Sequence, residues 1–120
     1  MRINEELINQ VNETTSKEVL TSLLYTGCIN FINAGIDALN EKDYESTNIY
    51  LQRAQKIINE FRTTLNYDYD ISKQLDMLYT YSYEQLVKGN IKNDLTALNN
   101  AKFVINELSN TWNQIISKVV

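Results

Sequence analysis

Among the side chains able to do chemistry, the lone cysteine, Cys28, stands out first. A nucleophilic thiol needs a neighbouring base or cation to lower its pKa, and the chain contains no histidine. Cys28 follows Gly27 on the apolar side of a helical stretch, so it reads as a buried structural thiol. The absence of histidine also removes the usual zinc, di-iron and phosphotransfer centres of helical bundles, and the commonest general base. Glu41, Asp43 and Glu45 lie close together but at a helix start, where carboxylates favour the helix dipole. They read as helix-start residues and not as a metal site. The sequence has no Gly-rich phosphate loop, metal-ligand cluster or nucleophile–base pair. It points away from an enzyme and implies neither metal nor cofactor.

Tyrosine is the unusual component. Eight of 120 residues are Tyr, and five of them fall between Tyr67 and Tyr83. Tyr79 and Tyr83 are four apart and share a helix face, while Tyr81 points away from them. Tyr50 and Ile57 flank an apolar seam, with Ile49 beside them. A tyrosine joins a large apolar body to a polar tip, which suits half-exposed recognition surfaces. Two readings stay open for each ring: it covers a core edge, or it rims a site. Taken together the apolar and aromatic flanks are wider than a seam requires, which favours a groove for a partner's apolar helix or extended segment.

The elements that position these residues are helices. There is no proline and there are only three glycines, Gly27, Gly35 and Gly89, which suits long helices joined by short polar connections. The first helix is expected from about Ser16 to Leu39, with Thr15 and Glu18 at capping-box spacing. Leu20, Leu24, Phe31, Gly35 and Ala38 form its stripe. Val19, Leu23, Ile29, Ile32, Ile36 and Leu39 widen that stripe around much of the circumference. Asp43 caps a second helix, roughly Tyr44 to Leu65, with the seam Thr47, Leu51, Ala54, Ile58, Phe61 and Leu65. Asp70 caps a third, from Ile71 to about Lys88, with the seam Ile71, Leu75, Leu78, Ser82 and Leu86, and Gly89-Asn90 as its stop. Asn93 or Asp94 starts a fourth, to about Lys118, on Leu98, Ala101, Ile105, Leu108, Trp112, Ile115 and Val119. Connections this short place successive helices antiparallel. The expectation is therefore an all-α, up-down-up-down four-helix bundle over residues 15–120, one domain. Residues 1–14 form a short cap segment or tail: Ile3, Leu7, Ile8 and Val11 present one apolar face but are too few for an isolated helix.

The net charge of −4, from 11 basic and 15 acidic residues, argues against nucleic acid or an anionic membrane as partner. A single cysteine fits a reducing compartment. The charged N-terminus does not read as a signal peptide and no stretch reads as membrane-spanning, so a cytoplasmic location is expected.

Several stretches resemble one family, the flagellar secretion chaperones. Leu24-Tyr25-Thr26-Gly27, followed by Phe31, is similar to the family's first-helix motif. Lys42-Asp43-Tyr44-Glu45 and Ala54-Gln55-Lys56-Ile57-Ile58 resemble its second-helix stretch. The run from Leu78 to Asp94, ending Asn90-Ile91-Lys92-Asn93-Asp94, is similar to the third-helix segment, and Leu108 and Trp112 match the closing motif. The resemblance spans about residues 7 to 118. Three positions depart: Leu7 stands where the family prefers Tyr, Lys17 replaces a helix-opening Pro, and Glu84-Gln85 replaces an Arg-Arg pair. The resemblance implies an export chaperone that binds the disordered C-terminal segment of flagellin, prevents premature polymerisation and delivers it to the flagellar export apparatus. The expected partner-binding residues are Tyr50 and Ile57 on one flank of their seam and Tyr79 and Leu86 on the opposite flank of theirs, with Gln55 and Tyr83 added. A wrapping partner would touch more than one groove. A second reading is a self-associating bundle that acts as an adaptor or structural protein.

Overall fold

With no proline to interrupt it, the chain forms four long helices in the computed structural model, which describes residues 16–119. They are α1 (Ser16–Asn40), α2 (Tyr44–Thr63), α3 (Ile71–Lys92) and α4 (Leu95–Val119). The expected N-terminal cap residues Ile3, Leu7, Ile8 and Val11 lie outside the described residues. Each helix packs against two neighbours, closing a ring α1–α2–α3–α4–α1. Cross-helix pairs fix the directions. Gly27 lies against Ile57 and Gly35 against Leu51. Arg62 reaches Asp76, while Asn90 reaches Asn48. Asn100 reaches Gln85, and Ser22 reaches Asn113. From Gly27–Ile57 to Gly35–Leu51, from Asn48–Asn90 to Arg62–Asp76 and from Gln85–Asn100 to Gly89–Leu98, the number rises on one helix as it falls on the next, so the bundle is antiparallel, up-down-up-down.

The local signals that end and start helices work mostly as expected. The Ser46 N–H donates to Asp43 Oδ1 at 3.1 Å, and the Ala97 N–H donates to Asp94 Oδ1 at 3.2 Å. These side chains satisfy amides that a helix start leaves orphaned. Asp70 does not cap α3: it is already helical (φ −60°, ψ −34°) and its side chain makes no capping bond. The turn before it is closed instead by Ser72, whose Oγ donates to the Asn66 carbonyl. Nor does Gly89-Asn90 stop α3. The helix continues to Lys92 and ends on Asn93 in the left-handed region (φ 51°), with the Asp94 N–H returning to the Gly89 carbonyl at 3.0 Å.

Gly89 has another role. A Cβ there would sit 2.6 Å from Leu98 Cγ and 3.1 Å from the Asp94 carbonyl, and at Gly35 a Cβ would sit 2.6 Å from Leu51 Cδ2. Both glycines let neighbouring helices approach closely. Leu98 and Leu51 are fully buried and have nowhere to move. Gly89→Ala should therefore destabilise by about 1–3 kcal/mol, although alanine is the better helix former. Urea unfolding checks this; a gain in stability would mean that the α3–α4 interface yields.

The core seams of α2 and α4 follow the expected rhythm. Thr47, Leu51, Ala54, Ile58 and Phe61 are buried, as are Leu98, Ala101 and Ile105. Leu108 and Trp112 pack at the edge of the core, and Ile115 is half exposed. Trp112 is only part-buried, because its indole N–H donates to the Glu18 carbonyl and to Ser22 Oγ, tying α4 to α1. The seams of α1 and α3 are followed only in part: Gly35, Ala38, Ser82 and Leu86 are buried as expected, but other core positions differ. On α1 the buried residues are Tyr25, Cys28, Ile32, Gly35 and Ala38, while Leu20 is 56% exposed. On α3 they are Ser72, Tyr79, Ser82 and Leu86, while Ile71 and Leu78 are largely exposed. Two tyrosines take core positions that were assigned to aliphatic residues, for a reason given below. The most apolar 18-residue window of Lys17–Asn40 reaches a mean hydropathy of 1.4, enough by length and composition to cross a membrane, a test that the core helix of a bundle also passes. Within the bundle one face of this helix, with Cys28 and Ile32 at 0% exposure, is spent on the core.

Candidate partner-binding surface

Behind the surface lies a stack of three rings. Phe61 of α2 is sandwiched between Tyr25 of α1, at 4.4 Å between centroids, and Tyr79 of α3, at 5.4 Å. The two tyrosines come from diagonally opposite helices, and their hydroxyls bond to each other in the interior at 2.5 Å. That bond lets both polar tips be buried, since each would otherwise be stranded without water. Burial drives both hydroxyls above the ordinary tyrosine value; for Tyr25 the bond from Tyr79 partly opposes this. Cys28 is adjacent, and burial pushes its thiol up to about 12. At neutral pH that sulfur is a protonated packing group, and it points at the Ala54 carbonyl. Among the described residues no group of three or more His, Cys, Asp or Glu is placed to hold a metal ion.

The structure separates the six expected binding residues into three places. Tyr79, 3% exposed, and Leu86, 0% exposed, belong to the core. As flank positions offered to a partner they are corrected: the mutual hydroxyl bond draws Tyr79 inward, and Leu86 follows on the same face two turns later. Tyr50 and Ile57 are part-buried on the side of α2 that faces α1. Gln55 and Tyr83 meet across the opposite groove, between α2 and α3. The bundle thus divides these residues between two grooves and its interior.

The α1–α2 groove is built from two rows that run beside the core seams. On α1 the row is Leu20, Leu24, Gly27, Phe31, Ala34 and Ala38; on α2 it is Ser46, Tyr50, Arg53, Ile57, Glu60 and Thr64. Both step four and three residues alternately, the spacing of a second helical seam. Arg53 lies over the Phe31 ring at 5.8 Å, a cation–π contact at the rim. At the open end of the bundle a cavity of about 530 Å³ is lined by Leu20, Leu24, Phe61 and Thr64 with Lys17 and Glu60 at its mouth. At the α1–α2 hairpin end a cavity of about 270 Å³ includes Asp37, Glu41, Asp43 and Tyr50. The Ser46 hydroxyl and N–H beside Asp43 hold its carboxyl below the usual carboxylate range.

The α2–α3 groove is polar by contrast. Gln52, Gln55, Lys56, Asn59 and Tyr83 line about 440 Å³. Beyond it, Tyr83, Val87 and Ile91 shape a more apolar hollow of about 460 Å³ along α3. The sequence reading assigned Leu20, Leu24 and Phe31 to the core, and so missed their share of the α1–α2 groove. The signal was present, because α1 carries two four-three rows where one seam needs only one.

The family model described as flagellar protein FliS matches residues 2–119. A flagellar secretion chaperone FliS from Bacillus subtilis (strain 168) is 38% identical over 108 residues, covering 90% of this chain and 80% of the relative. One from Vibrio cholerae serotype O1 is 29% identical over 102 residues, covering 83% of this chain and 75% of the relative. One from Escherichia coli (strain K12) is 20% identical over 104 residues, covering 84% and 76%.

Proposed function

Because the chain belongs to the family of flagellar protein FliS, we propose that it is a flagellar export chaperone that binds the disordered C-terminal segment of flagellin in the cytoplasm. It blocks premature polymerisation and holds that segment for type III export. Blocking self-association needs no nucleotide, since binding the free form shifts the equilibrium by mass action. The observation that carries the reading, beside family membership, is the second apolar row of α1, which faces Tyr50 and Ile57 of α2. Leu20 is 56% accessible and Leu24, Phe31, Tyr50 and Ile57 are only part-buried, on a bundle whose core is already complete. A segment without structure of its own can wrap such a surface and also reach the Gln55–Tyr83 groove.

Calorimetric titration with a peptide of the flagellin C-terminus tests this. The intact chain should bind, and Tyr50→Ala or Ile57→Ala should each weaken binding by about 1–3 kcal/mol with the fold retained. Gln55→Ala and Tyr83→Ala should weaken it less, because their groove is wetter. Tyr79→Ala and Leu86→Ala should act through lost stability. Absence of binding by the intact chain would end the reading. In the same titration, removing residues 1–14 should tighten binding if that segment covers part of the groove until cargo displaces it. Leu7→Asn should reproduce much of that gain.

A further inference from the structure

Helix α1 carries a core-forming row twice, one residue apart. Leu24, Gly27, Phe31 and Ala34 are followed directly by Tyr25, Cys28, Ile32 and Gly35. The second set is buried and the first is only part-buried. A helix turns about 100° per residue, so a rotation of that size would bring the first set to where the second now packs. Leu24 and Phe31 would replace Tyr25 and Ile32, large side chains exchanged for large ones, which a core tolerates. Two features stand against the rotation. One is Gly35, which meets Leu51 where the Cβ of Ala34 would find no room. The other is the hydroxyl bond between Tyr25 and Tyr79, which joins two helices that stand diagonally across the ring. Among the described residues every other side-chain bond between helices joins neighbours.

We propose that α1 has a second setting, turned by one residue, and that the Tyr25–Tyr79 bond is the contact that holds it in the first. This goes beyond the export-chaperone reading and does not depend on it. In the turned setting Tyr25 takes the exposed position of Thr26 and Cys28 the part-buried position of Ile29. Leu24 and Phe31 leave the α1–α2 groove for the core. Tyr79 stays buried with its hydroxyl unpaired, which disfavours the turned setting by about tenfold. A buried polar contact of this kind selects between packings that apolar contacts alone leave close in energy. The rotation is therefore a switch, since it withdraws two large apolar side chains from one face of the bundle.

Cys28, the lone thiol and 0% exposed, reports the rotation. The measurement is its labelling rate with a soluble aromatic disulfide, less the part that global unfolding supplies, with stability taken from urea unfolding of each variant. Tyr79→Phe strands the Tyr25 hydroxyl in the core, and only the turned setting returns it to water. That variant should label about a hundredfold faster than the intact chain. Tyr25→Phe leaves Tyr79 unpaired in either setting, so it should label only about tenfold faster. The double change to Phe strands no hydroxyl in either setting and should also label about tenfold faster. Equal or reversed rates for the two single variants would overturn the inference, because loss of the bond would then merely loosen the core. Labelling that global unfolding accounts for in every variant would overturn it too, since α1 would then have one setting only.

Discussion

Replacing Phe61 with alanine should cost about 3–5 kcal/mol, a large part of the total stability of a domain this size. The ring is 7% exposed and lies between two tyrosines, so its loss removes packing on both faces at once. It also lines the 530 Å³ cavity at the open end of the bundle. Truncation would join that cavity to the core and admit water to the Tyr25–Tyr79 hydroxyl pair. Phe61→Leu should cost markedly less, because it keeps much of the volume. The hydroxyl bond is separable by a double-mutant cycle. Tyr25→Phe or Tyr79→Phe alone leaves one buried hydroxyl unpaired and should cost about 1–3 kcal/mol, while the double change to Phe should be nearly neutral. Urea unfolding of the five variants measures all of this. Additive costs for the two tyrosine changes would show that water replaces the missing partner and that the pair is not sealed.

Above about pH 9 the bundle should lose stability steeply and unfold cooperatively. The cause is that Tyr25, Cys28 and Tyr79 are all buried in their neutral forms, with their pKa values raised above ordinary. The sign follows from proton binding. Above their ordinary values the unfolded chain releases these protons while the folded chain keeps them, so rising pH favours unfolding. The stabilisation is complete below the ordinary thiol value of 9.0 and is withdrawn as pH climbs toward about 12 for Cys28. At about 1.4 kcal/mol per pH unit, the thiol alone withdraws roughly 4 kcal/mol across that window. The tyrosines act from their ordinary value of 10.0 upward, in the same direction. Circular dichroism during an alkaline titration measures the midpoint. Cys28→Ala should move it upward, and adding Tyr25→Phe with Tyr79→Phe should move it further. A midpoint unchanged in the triple variant would place the alkaline transition on other groups.

The helices themselves were legible because their determinants are local. No proline and short polar breaks define four long segments, and Asp43 and Asp94 cap within three residues of themselves. On α2 the single apolar row Thr47, Leu51, Ala54, Ile58 and Phe61 leaves one choice of buried face, so the seam could be read directly. Family membership was legible for a related reason: the resemblance is carried by linear strings such as Leu24-Tyr25-Thr26-Gly27.

What the tertiary structure decided was rotation. Helix α1 is apolar around most of its circumference, and periodicity cannot choose between two rows that both repeat by fours and threes. The choice was made by a partner 54 residues away, because burying Tyr25 is tolerable only where Tyr79 supplies the other half of a hydrogen bond. That one pairing turns Tyr25 and Cys28 inward and leaves Leu20 and Leu23 outward. On α3 it makes Tyr79 a core residue beside Ser82 and Leu86 of the expected seam and sends Leu78 to the surface. The candidate site moved with it, since a groove is whatever face the core does not take. The residues that can bury themselves are written along the chain, but which of two apolar faces is spent on the core depends on a long-range hydrogen bond that no local pattern records.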